Sequence, residues 1–248
     1  MVNIRLYLLV IISLLASQSK AQVDSTLINK HLHKANLKRA SIAPLLFMGV
    51  GTLTFADIDF IGRADIYEER NERTAKFKTH ADDYLQYAPI ATVLGLNVLG
   101  VKGKHNFKRQ MWLLAKSELV MMAIVEPLKK VTEIPRPDGT NFSSFPSGHT
   151  AQAFVAATFI HKEYGGQNPL YSVLGFGSAA AVGVLRILNN RHWTTDVFFG
   201  AGIGILSTNL VYLWADHQKS KHPKMLNIIA MPTYGNKIFG IGLIIPLK

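Results

Sequence analysis

Long apolar stretches separated by short polar connectors run along this chain, and their length predicts helices. Ala40–Ala56, Tyr84–Val101 and Tyr164–Leu185 carry no charged residue. Val197–Ala215 lies uncharged between Asp196 and Asp216, and Gly139–Ile160 holds no Lys, Arg, Asp or Glu although it opens as a polar loop. Gln110–Leu128 is apolar around a few charges, Lys116 and Glu118 among them. Such runs fit membrane-crossing helices or the fully buried helices of a bundle. Gly200 and Gly204 form a small-x-x-x-small pair, which predicts close approach of another helix. No strand precedes this glycine run and its spacing is G-x-G-x-G, which argues against a dinucleotide site. The tail differs: Leu226–Pro232 and Ile238–Leu247 flank "TYGNK", with Gly235-Asn236 as a turn signal, and predict a β-hairpin.

The N-terminus reads as an export signal. Arg5 supplies a basic start, Leu6–Ala16 an apolar core too short to cross a membrane easily, and Ser19-Lys20-Ala21 a small-x-small cleavage site. The expected division is therefore a signal peptide at 1–21, an N-terminal helical segment at 22–83, a core at 84–216, and a basic linker with a possible hairpin at 217–248. Asp57–Asp83 is of mixed charge and reads as helical or looped surface.

Composition narrows the picture. Hydrophobic residues make up 48% of the 248 and charged residues 17%, too apolar for a disordered chain. The absence of cysteine excludes disulfide scaffolds, thiolate nucleophiles and iron–sulfur clusters. A net charge of +11 points to an anionic partner. The mean hydropathy of +0.16 is low for six spans, yet membrane embedding is the favoured reading over a soluble exported bundle.

The polar residues that interrupt the apolar runs fall in three clusters, each at a helix end: Lys129-x6-Arg136-Pro137, then Pro146-Ser147-Gly148-His149, then Arg186-x5-His192-x3-Asp196. Taken singly they read as interfacial anchors, a capped turn and a surface pair. Together they assemble a phosphate chemistry. Arg136 and Arg186 offer planar forks for phosphate oxygens and Lys129 a point charge. Pro135 and Pro137 hold Arg136 on a stiff extended segment. Ser147 is a plausible N-cap, and the free amides of Gly148 and His149 can face an anion. A carboxylate at Asp196, one helical turn from His192, would fix the imidazole tautomer and leave its other nitrogen free to attack phosphorus. His149 would protonate the leaving oxygen and then activate water.

These three motifs, "KKVTEIPRP", "PSGH" and "LRILNNRHWTTD", resemble those of the type 2 phosphatidic acid phosphatases (PAP2), the superfamily that also holds bacterial class A acid phosphatases and vanadium haloperoxidases. The motifs cover Lys129–Asp196 and the helical likeness about Tyr84–Ala215. The resemblance implies an all-α bundle of about six helices. It implies that His192 is the nucleophile, Asp196 its partner and His149 the general acid, with phosphate bound by Lys129, Arg136, Ser147, Gly148 and Arg186. Leu185 stands where the family usually has serine, which removes one hydrogen bond to phosphate.

The expected function is a metal-independent and cofactor-free phosphatase acting on a lipid phosphate or small phosphomonoester, not on nucleic acid. Rivals are a vanadate-dependent haloperoxidase, for which vanadate would be the cofactor, a lipid phosphotransferase, and a membrane protein that binds anionic lipid without turnover. Placing the basic loops Lys102–Arg109 and Lys219–Lys224 in the cytoplasm puts all three clusters on the exported, periplasmic side. With a cleaved signal, Ala40–Ala56 cannot then be a full span, so a re-entrant, interfacial or packed helix is expected there.

Overall fold

Capping residues explain where the helices of the computed structural model begin and end. It describes residues 35–55, 62–221, 229–235 and 238–244, so the expected signal peptide at 1–21 lies outside the described residues. Eight helices occur among them: α1 (35–55), α2 (Arg63–Thr74), α3 (Ala81–Leu85), α4 (Ala88–Val98), α5 (Phe107–Thr132), α6 (Gly148–Tyr164), α7 (Pro169–Leu188) and α8 (Thr194–Lys221). Asn106 caps α5 by accepting the Arg109 N–H at 3.0 Å. Asn168 caps α7 by accepting the Leu170 N–H at 2.9 Å, with Pro169 at the first helical position, where its missing N–H costs nothing.

The uncharged run Tyr84–Val101 does not form one helix. The chain turns at Gln86 and Tyr87, restarts at Ala88 with Pro89 in the first turn, and stops before Gly100, whose φ of 77° suits glycine. The 11 residues of α4 span only about 16 Å, roughly half a bilayer core.

Helix α6 is the centre of the bundle. Residues on all its faces are buried, from Ala151 and Phe154 to Phe159 and Tyr164, as expected of a helix surrounded by others. Helix α8 lies directly against it. A Cβ on Gly200 would stand 2.6 Å from the Ser147 carbonyl, and one on Gly204 would meet the Ala151 carbonyl and stand 2.9 Å from Phe154 Cβ, so the predicted small-residue stripe is the α6 contact. Gly202 faces the other way, where a Cβ would stand 2.9 Å from the Pro44 carbonyl of α1.

The apolar run Ala40–Ala56 falls, as far as Phe55, in α1, which runs antiparallel beside α8. Asn209 donates to the Ala40 carbonyl at 2.8 Å near one end, and Thr54 and Thr195 hydroxyls meet at 3.0 Å near the other.

At the end of the bundle far from the start of α6, Glu163 is fully buried. It accepts the His105 N–H at 2.9 Å, contacts His105 Nδ1 at 2.8 Å and accepts the Tyr212 hydroxyl. This network fastens the α4–α5 loop to α6 and α8.

The helical unit extends to Leu213; a second unit, Trp214–Lys248, holds the end of α8 and a hairpin. Strands β1 (Ile229–Gly235) and β2 (Ile238–Ile244) pair antiparallel from Ile229–Ile244 to Gly235–Ile238, close to the predicted ranges.

Candidate active site

The three clusters meet at the end of the bundle where α5 and α7 finish and α6 and α8 start. Backbone and side-chain bonds tie them together. Ser147 N–H donates to the Asp196 carbonyl at 3.0 Å, joining the second cluster to the third. Trp193 Nε1 donates to the Pro135 carbonyl at 2.8 Å, joining the third to the first. Lys129 Nζ donates to the Ser143 carbonyl at 2.9 Å, and its side chain passes Gly148, with Cε 3.8 Å from where a Cβ would stand.

His192 and Asp196 do not share a helix face as expected. His192 precedes α8 and Asp196 lies in its first turn. Asp196 caps the helix from within: its Oδ2 accepts the Trp193 N–H at 2.9 Å, the arrangement of the acidic partner in a capping box. The same Oδ2 accepts the Ser144 hydroxyl. His192 Nδ1 lies 3.4 Å from this oxygen, within ion-pair range but without hydrogen-bond geometry, because two other donors already share it. Burial, with the Arg186 and Lys129 charges adding to it and Asp196 opposing, holds the His192 pKa down to about 4.

A cavity of about 720 Å³ opens beside these elements, with Arg136, His149 and Arg186 on its wall. Nε of Arg136 and Nε of Arg186 are buried, and no described residue accepts from either. A buried donor without an acceptor costs about 1–3 kcal/mol, a penalty that an oxyanion between the two guanidiniums would remove. Burial and then the charge of Arg186 lower the Arg136 pKa.

The remaining predicted residues are placed differently. His192 is 2% exposed and lines a separate cavity of about 10 Å³, which shares Arg70 and Asn190 with the larger one. Ser147 is fully buried: its Oγ accepts the Thr150 N–H at 3.4 Å and meets the Thr150 hydroxyl at 2.9 Å, so it caps α6 as predicted and is not on the cavity wall. Lys129 and Gly148 do not line the cavity either.

Charged residues from the segment read as surface complete the cavity. Asp82, 1% exposed, accepts from Arg186 Nη1 at 2.7 Å and from Asn189 Nδ2 at 3.0 Å. Asp83 lies 2.9 Å from His149 Nε2 and 3.2 Å from His80 Nδ1. Its carboxyl is held below the ordinary value by the His80 bond, partly offset by burial, and then by His149 and Arg186. Arg70 donates twice to the Leu188 carbonyl, at 3.0 and 2.9 Å, and so pins α2 to the end of α7. Composition gave no signal for these roles, because a mixed-charge stretch looks the same whether its charges face water or one another. Arg191 pairs with Asp138 at 3.1 Å, and both line the cavity.

The comparisons with known proteins agree with the motifs. The sequence model of the PAP2 superfamily matches residues 110–220. A lipid A 1-phosphatase of Porphyromonas gingivalis is 38% identical over 156 residues, which is 61% of this chain; the chain spans about a third, 34%, of that relative's length. Among solved structures, Aquifex aeolicus LpxE aligns with a TM-score of 0.46 and 23% identity, over 58% of this chain and 93% of that one. A transmembrane PAP2-type phosphatidylglycerolphosphate phosphatase from Bacillus subtilis aligns with a TM-score of 0.46 and 17% identity, over 71% and 96%. The matched residues 110–220 contain all three motifs in order, gathered at one end of a helical bundle, so this stretch of the chain is similar to the PAP2 superfamily.

Proposed function

We propose that the protein is a lipid phosphate phosphatase that works through phosphorylated His192. The observation that carries this reading is that Arg136, Arg186 and His149 line one cavity, and that each of the two arginines keeps a buried Nε–H without an acceptor. They suit the oxygens of a phosphate monoester. His192 Nε2 attacks phosphorus while Asp196 faces Nδ1. The P–O ester bond breaks, and its electron pair stays on the leaving oxygen, which takes a proton from His149. Water, deprotonated by His149, then attacks phosphorus, breaks the N–P bond and releases inorganic phosphate. His192 lines the small cavity that shares Arg70 and Asn190 with the larger one.

A lipid substrate is supported by the surface. Among the described residues, Pro169–Leu188 and Thr194–Gln218 are long and apolar enough to cross a bilayer. Leu170, Val173, Leu174 and Val184 stand exposed on α7. The cavity is far larger than a phosphate group, so it admits a polar head group. The relative from P. gingivalis is a lipid A 1-phosphatase, and a phosphorylated glycolipid is the substrate proposed here.

The test is phosphate release from lipid A, phosphatidylglycerolphosphate, phosphatidate and a soluble aryl phosphate, with a parallel alkaline detergent quench to trap the phosphoprotein, whose stability to acid and base is then compared. Turnover with an acid-labile, base-stable phosphoprotein that His192→Ala abolishes, with a loss of about a thousandfold or more, is expected. Near-normal turnover by His192→Ala would overturn the mechanism.

A further inference from the structure

Of the histidine–carboxylate pairs described at the site, His192–Asp196 belongs to the three motifs, whereas His149 and His80 share a carboxylate from outside them, Asp83. Asp83, from the short helix α3, places Oδ1 2.9 Å from His149 Nε2. Helix α3 is held in register by its neighbour: Asp82 is buried against Arg186 and Asn189, and Asn189 also exchanges two bonds with the Thr79 backbone, each 2.9 Å. The α3 backbone is therefore fixed to the end of α7, and Asp83 is delivered to His149 by a rigid support.

We infer that Asp83 is a positioning residue for His149, holding Nε2–H so that Nδ1–H is the proton given to the leaving group. This rests on the phosphatase reading above. The groups around His149 set the balance. Burial first, and then the charge of Arg186, which lies 3.8 Å from Asp83, disfavour imidazolium, and Arg136 lines the same wall. Asp83 and the nearby Asp82 favour it, and His80 competes for Asp83 through Oδ2. Asp83 is the carboxylate in direct contact with His149 that opposes burial and Arg186. During the reaction Nε2–H stays with Asp83. Nδ1 gives its proton to the ester oxygen as P–O breaks, and recovers one from the water that attacks phospho-His192.

Asp83→Asn keeps the shape and removes the charge. Asp83 is half-exposed, whereas Asp82 is buried against Arg186 and Asn189. Two measurements on detergent-solubilised full chain test the inference. In the first, the titration of isotopically labelled His149 is followed by NMR, assigned with His149→Gln; Asp83→Asn should lower its pKa by about one unit or more, and Asp83→Glu should restore most of the shift. This readout is independent of turnover, so it stands or falls separately from the phosphatase reading. In the second, Asp83→Asn should cut kcat about tenfold or more with KM changed less than about twofold, and should move the basic limb of the rate profile to lower pH. An unchanged His149 titration would overturn the inference. So would a fall in KM at constant kcat, which would mark Asp83 as a mere competitor for the phosphate position.

Discussion

His192 is kept neutral by its surroundings: it is 2% exposed, and burial holds its pKa near 4, against 6.5 for a free imidazole. Between those values the unfolded chain binds a proton that the folded chain does not, so stability falls as pH drops from about 6.5 towards 4. Thermal unfolding should show a Tm loss of at least several degrees across that window, and a smaller loss in His192→Gln, whose side chain does not titrate. An equal loss in both proteins would mean that His192 is not the group responsible. The same neutrality suits a nucleophile, because a protonated imidazole cannot attack phosphorus. Asp196 contributes differently from the expected simple pair. By serving Ser144 and Trp193 together it fixes the loop that carries His192.

At the scale of elements, the contact of α8 with α6 aligns the second and third clusters. It depends on Gly200 and Gly204, whose missing side chains let the two backbones approach. Gly204→Ala should destabilise the bundle by about 1–3 kcal/mol, since its Cβ would press on Ala151 and Phe154. Gly177→Ala on α7 is the control: a Cβ there meets nothing within 4 Å, so the change should be neutral or slightly stabilising. Chemical or thermal unfolding of both variants in detergent gives the comparison, and equal effects would contradict the packing argument. α4 teaches the converse lesson. Its composition promised a span, but Pro89 and the turn at Gln86–Tyr87 shortened it.

At the scale of the whole molecule, the order of crossings follows from α1. It pairs with α8 from Ala40–Asn209 to Thr54–Thr195, so its start lies at the end of the bundle away from the candidate site. If the bundle is embedded as proposed, α1 crosses with α8, in conflict with the expected export-first order in which Ala40–Ala56 does not span. The chain has no cysteine, so single substitutions can be labelled without background. Cysteine at Lys38 and at Lys102 should react with an impermeant thiol reagent from one side of sealed vesicles, and cysteine at Thr140 from the other. Labelling of Lys38→Cys from the same side as Thr140→Cys would show that α1 does not cross.

Helical class, the hairpin and the identities of the motif residues were all legible in the sequence, because apolar run length, turn chemistry and side-chain functional groups are local properties. Lys129, Arg136, His149, Arg186 and His192 announced themselves by their chemistry at helix ends. Three things needed the tertiary structure. The first is that Arg136 and Arg186 line the cavity while Ser147 and Lys129 do not. The second is that Asp82 and Asp83, more than a hundred residues from Arg186 and more than sixty from His149, enter the site. The third is that α1 lies along α8 from Thr195 to Asn209. Each is a matter of which distant segments pack together, and that is decided by burial and pairing across the whole chain rather than by any residue's own neighbours in sequence.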